Sequence, residues 1–139
     1  MAKEAGKFVA DMDAIRRHAR ASLEDGARTA GYSLDVERAI ALLNDAVATE
    51  MVCMLRYQFH AIMAQGIHSE SVKAEFEAHA AEEQQHMSLL AARINQLGGK
   101  PDLDPANASK RAASEYVEGE NLLDMIRENL VAERIGIDT

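Results

Sequence analysis

Three stretches of this chain carry apolar residues at helical spacing, and each is interrupted near its middle by a carboxylate. The first stripe is Val36, Ile40, Leu43, Val47, Glu50, Met54, Tyr57, Ala61 and Ala64. The second is Val72, Phe76, His79, Glu83, His86, Leu90, Ile94 and Leu97. The third is Leu123, Ile126, Leu130, Glu133 and Ile137. Steps of three and four place each set on one helix face. Such a face is the buried seam of a helical bundle. An ionised carboxylate in a seam is very costly without a partner. Three seams broken by acids therefore point to a shared cation.

The helix limits follow from local signals. The spacing predicts a first long helix over about 35–65, started by Ser33 or Asp35 and ended by Gly66. At 1.5 Å per residue it spans roughly 45 Å. A second helix over about 69–97 starts at Ser69, the expected N-cap, and stops at Gly98-Gly99 before Pro101. The link between them is short, so they run antiparallel. Glu50 lies about as far before this turn as Glu83 lies after it, so the two carboxylates should meet, with His86 one turn further on. Residues 100–118 are too long for a tight turn and form a crossover, with a helical extension expected at Ala112–Val117. The crossover brings a third helix, about 119–139, parallel to the second. Residues 1–33 form an N-terminal arm with a short helix over Ala14–Leu23, and 34–139 form the helical domain.

Composition narrows the function. Aromatics are 4% of the 139 residues and there are two prolines, which favours an all-α protein. The net charge of −8 disfavours nucleic acid as a partner. The local cluster Arg16, Arg17, His18 and Arg20 reads as a solvated helix or a subunit-packing arm. No run of about 18 apolar residues indicates a membrane span. Lys3, Glu4, Lys7, Asp11 and Asp13 interrupt any signal-peptide core. The single cysteine, Cys53, permits no intramolecular disulfide and fits a reducing cytoplasm.

Glu50, Glu83, His86 and Glu133 offer three carboxylates and one imidazole. Hard oxygen with imidazole suits iron, manganese or zinc. Glu and His at i, i+3 on an inward face are what a bundle uses to hold a metal. A lone E-x-x-H recurs by chance; three seams broken at compatible heights give it weight. Tyr57, seven residues after Glu50, can hydrogen-bond a ligating carboxylate. His60, His68 and His79 read as packing or surface groups, and Met51, Met54, Met63 and Met87 as core filler.

These residues carry a family resemblance. Glu50 followed by Tyr57 and His60, then Glu83-x-x-His86, then Asn129-Leu-Val-Ala-Glu133, resembles the ferritin-like superfamily, nearest to bacterioferritin and the Dps-like mini-ferritins. The resemblance covers about residues 34–139. It implies an antiparallel four-helix bundle with a long crossover, the fourth helix of the pattern lying outside this sequence. It implies Glu50 and His86 on one iron, Glu83 bridging a di-iron pair, and Glu133 on the second iron. The family's second Glu-x-x-His belongs to that fourth helix. The implied activity is ferroxidation: Fe(II) oxidised by dioxygen or peroxide and stored as ferric mineral in a homo-oligomeric shell of 12 or 24 subunits. Bacterioferritins bind haem through a methionine directly after the bridging glutamate, where this chain has Gln84, so haem is not expected there. Two alternatives share the fold. One is a non-storage di-metal oxidoreductase such as a rubrerythrin-like peroxidase. The other is a non-enzymatic DNA-associating module.

Overall fold

The computed structural model describes residues 11–23, 26 and 31–139. Among them every regular element is helical. The chain divides into two units after Ser33. The described part of the first is α1, Met12–Ala21. Its limits lie earlier than the expected Ala14–Leu23 because Asp11 caps it, accepting from the backbone N–H of Asp13 and Ala14.

In the second unit, α2 spans Val36–Met63 and α3 spans Ser69–Gln96. Asp35 caps α2 by accepting from Arg38 N–H at 3.1 Å. Gly66, at φ 116°, makes the turn between them. Ser69 is the first residue of α3 rather than its N-cap; its hydroxyl donates back to the Gly66 carbonyl at 2.8 Å. At the far end, Gly98 adopts φ 81° and Gly99 N–H bonds to the Ile94 carbonyl. This closes α3 with a left-handed C-terminal turn.

The crossover runs back along α2, pinned at successive heights. Asn44 donates to the Lys100 carbonyl and accepts from Asp102 N–H. Arg111 pairs with Asp45 and Asp102 at 3.0 and 2.8 Å. Ala113 N–H donates to Thr49 Oγ1, and Arg56 to the Glu115 carbonyl. A short helix, α4, occupies Pro105–Arg111. The extension expected at Ala112–Val117 is not helical. The helix forms earlier, where Asp104 caps and Pro105 supplies a preset φ.

The last helix, α5, spans Leu122–Asp138, capped by Asn121 accepting from Asp124 N–H. Met125 packs with Ala61, while Asn129 meets Arg56 four residues further on. So α5 runs antiparallel to α2 and parallel to α3.

The inward face of α5 departs from the expected stripe. Met125, Asn129 and Ala132 are buried, whereas Leu123, Leu130 and Ile137 are 55%, 64% and 75% exposed. Among the described residues two apolar clusters make the core. One joins Tyr57, Ala61, Phe76, Ala80 and Met125; the other joins Ala48, Met51, Val52 and Ala108. Each fully buried large side chain contributes about 1.5–3 kcal/mol. Glu83 falls in sequence between Ala80 of the first cluster and Met87, which packs on the second, while Glu50 lies within the α2 segment of the second, between Ala48 and Met51.

Candidate metal centre

Antiparallel pairing of α2 and α3 brings Glu50, Glu83 and His86 together. One ligand atom from each lies within 4.8 Å of the other two. His86 Nδ1 stands 3.1 Å from Glu83 Oε2 and 3.5 Å from Glu50 Oε2. Glu83 is buried, Glu50 half-buried, and the His86 side chain 56% exposed. The imidazole thus stands at the mouth of a partly dry acidic pair.

That pair is frustrated on its own. Two anions no more than 4.8 Å apart repel by at least roughly 3.5 kcal/mol at an effective dielectric constant of about 20. Glu50 responds by holding its proton. Burial, and then the hydrogen bond and charge of Glu83, push its carboxyl from 4.5 up to about 8. His86 is held above its ordinary value, mainly by its hydrogen bond to Glu83. Two carboxylates and an imidazole in this state fit a divalent cation, which would replace the retained proton and relieve the repulsion.

Glu133 stands apart from this trio. Its side chain is exposed, and its Oε1 accepts a 2.6 Å hydrogen bond from Tyr57 Oη. The three-residue cluster does not include it. Tyr57 in turn stacks on His79, with ring centroids 5.0 Å apart. Burial, then the bond to Glu133, drives its phenol well above the ordinary tyrosine value. Tyr57, His79, Asn129, Leu130 and Glu133 line an open cavity of about 350 Å³ between α3 and α5.

Sequence reasoning missed Arg56. Its side chain is 1% exposed, in the middle of the bundle. It donates from Nε to Asn129 Oδ1 at 3.0 Å, from Nη1 to the Glu115 carbonyl at 2.7 Å and from Nη2 to Cys53 Sγ at 3.6 Å. His60, fully buried, completes the network. Its Nε2 lies 3.1 and 2.9 Å from the Val117 and Glu118 carbonyls, so it carries the proton. Its Nδ1 then accepts from Asn129 Nδ2 at 2.9 Å. Burial holds His60 below its ordinary value, in keeping with a neutral ring. Burial likewise pushes the Cys53 thiol up, which leaves it a packing residue. The only signal in the sequence was position: Arg56 and His60 sit one turn apart beside the first stripe.

Residues 40–139 match the ferritin-like domain model of the ferritin family. A dodecameric thioferritin, the bacterioferritin-related protein of Bacteroides fragilis, is similar at 34% identity and TM-score 0.71. That match covers 75% of this chain and 63% of the thioferritin, so the chain spans less than two thirds of that relative. A ferritin-like, diiron-carboxylate protein of Bacillus anthracis is similar at 28% identity and TM-score 0.66, covering 76% of this chain and 70% of that one. A Dps protein of Bacillus brevis, at 21% identity and TM-score 0.61, covers 76% and 80% and shares the fold. No curated protein matches the chain.

Proposed function

The chain belongs to the ferritin-like domain family, and on that premise we propose that it binds Fe(II) as substrate at Glu50, Glu83 and His86 and oxidises it. The observation that carries the reading is the meeting of two acids and an imidazole from separate helices within 4.8 Å; the raised Glu50 carboxyl agrees with it. A substrate cation displaces the Glu50 proton and takes the freed His86 nitrogen. Glu83, the buried member, is proposed as a ligand shared by both iron ions, and Glu133 as a ligand for the second Fe(II). Tyr57 holds the Glu133 carboxylate in one orientation. Iron bound there gives up its electrons to dioxygen or peroxide and passes on as ferric ion. The dodecameric assembly of the thioferritin among the similar structures supports a multi-subunit shell; storage of the ferric ion inside a shell of 12 or 24 subunits, in the cytoplasm, is part of the proposal.

Anaerobic titration with Fe(II), then exposure to peroxide or dioxygen, tests the assignment. The native chain should bind and oxidise Fe(II), and Glu83→Ala should lose both. Undiminished oxidation by Glu83→Ala would overturn it. The diiron-carboxylate relative is also compatible with a second reading, in which the same site serves a di-metal oxidoreductase without a cage. Size-exclusion chromatography separates the two, because a monomer or dimer stores no mineral.

A further inference from the structure

We infer that Arg56 and Asn129 are positioning residues that set the rotation of α5 and so bring Glu133 to Tyr57. The inference rests on the proposed metal site only for what Glu133 then does.

The starting point is a choice that α5 faces. Its two candidate inner faces are Met125, Asn129 and Ala132 on one side and Leu123, Leu130 and Ile137 on the other. They differ by about one residue's rotation, roughly 100°. Both sides offer apolar residues: Leu122 and Ile126 flank Met125 and pack partly buried against the core, while Leu123, Leu130 and Ile137 are left outward. Apolar burial is non-directional, and with apolar residues on both sides it does not by itself fix the rotation. Glu133 lies on the border between the two faces. The rotation therefore decides whether its carboxylate meets Tyr57.

Directional bonds make the selection. Asn129 has both ends of its amide engaged, accepting from Arg56 Nε and donating to His60 Nδ1. The His60 ring is oriented in turn by the Val117 and Glu118 carbonyls. The network thus has a single donor-to-acceptor order from Arg56 to the crossover. Arg56 and Tyr57 are neighbours on α2, and Asn129 and Glu133 are one turn apart on α5. The pairs 56–129 and 57–133 are two rungs between the same helices, at 3.0 and 2.6 Å. Turning α5 to bury Leu130 would break the first rung and leave a buried guanidinium without its side-chain oxygen, a costly outcome. A buried polar group retained for specificity of arrangement has this signature.

The test uses Arg56→Met and Asn129→Leu, alone and combined with Glu133→Gln. The chain has three tyrosines and no tryptophan, so the near-ultraviolet spectrum reports on them directly. Tyr57→Phe identifies the contribution of Tyr57. Both variants should keep helix content while shifting the tyrosine spectrum as Glu133→Gln does. Co(II), used as the probe, should bind about 10- to 100-fold more weakly. Added to Glu133→Gln, neither variant should weaken Co(II) binding further. A folded variant with the native tyrosine spectrum overturns the inference, as does a loss of Co(II) affinity that simply adds to that of Glu133→Gln. Should those variants fail to fold, Arg56→Lys and Asn129→Asp decide. Asn129→Asp retains an oxygen for Arg56 and should keep the native spectrum; Arg56→Lys lacks the Nε donor and should lose it. The reverse pattern overturns the proposal. The spectral arm needs no metal, so a native chain that binds no Co(II) refutes the iron reading and leaves the rotation independently tested.

Discussion

The phenol of Tyr57 on α2 and the carboxylate of Glu133 on α5 meet at 2.6 Å across a sequence separation of 76 residues. A short bond from a hydroxyl to an ionised oxygen is among the stronger protein hydrogen bonds. Ionising Tyr57 would set two anions in contact. In a spectrophotometric titration, Tyr57 should remain protonated well past the ordinary value of about 10. The stability it contributes is complete below that pH and is lost as pH rises beyond it. Glu133→Gln should bring its ionisation part of the way back, and Tyr57→Phe should remove the late step.

The Glu50–Glu83 pair sets a second pH dependence. Glu50 has a raised carboxyl, from 4.5 to about 8, so the folded chain holds a proton that the unfolded chain releases. Stability from this group is full below about 4.5 and drains away as pH rises through about 8. His86, also raised, acts in the same direction. Melting temperature of the metal-free protein should fall between pH 5 and 9, and Glu50→Gln should flatten much of that slope. Adding a divalent cation should reverse it, because binding must expel the same proton.

His60 works at the acid end. Its neutral ring accepts from Asn129 at Nδ1, and protonation there would turn the acceptor into a second donor. Its folded value is lowered, so its stability is present above the ordinary histidine value of about 6.5 and lost as pH falls below it. Chemical denaturation at pH 7 and pH 5 should show this loss in the native chain. In His60→Gln the difference between the two pH values should shrink, on a lower overall stability.

Gly99 marks a close approach of the crossover to α2. A Cβ built there would lie 2.8 Å from Ile40 Cδ1 and 2.9 Å from Cγ2. Gly99→Ala should therefore destabilise by about 1–3 kcal/mol through overpacking. Combining it with Ile40→Ala should cost less than the sum of the two single changes, since the second removes the clashing atoms. Urea unfolding of the four proteins measures the coupling.

Much of the architecture was legible in the residues because its causes are local. Helical period, Asp35, Gly66 and Gly98 delimit α2 and α3. The short link then forces Glu50 and Glu83 to a common height, and His86 follows one turn along. The early placement of α4 was readable in principle from Asp104-Pro105, a cap followed by a preset φ. The rotation of α5 was not. Counting apolar residues selected Leu123, Ile126, Leu130 and Ile137; Ile126 packs against the core, and the other three are exposed.

The sequence by itself determined that there would be long helices, where they end, and that acids would interrupt two of them at one level. Only the tertiary structure decided which side of α5 turns inward, that Arg56 lies buried, and that Glu133 is taken up by Tyr57. The physical reason is range. Periodicity and capping act over a few residues. The bonds from Arg56 to Asn129 and from His60 to Asn129 join positions 73 and 69 residues apart, and they exist only once the crossover has laid α5 against α2.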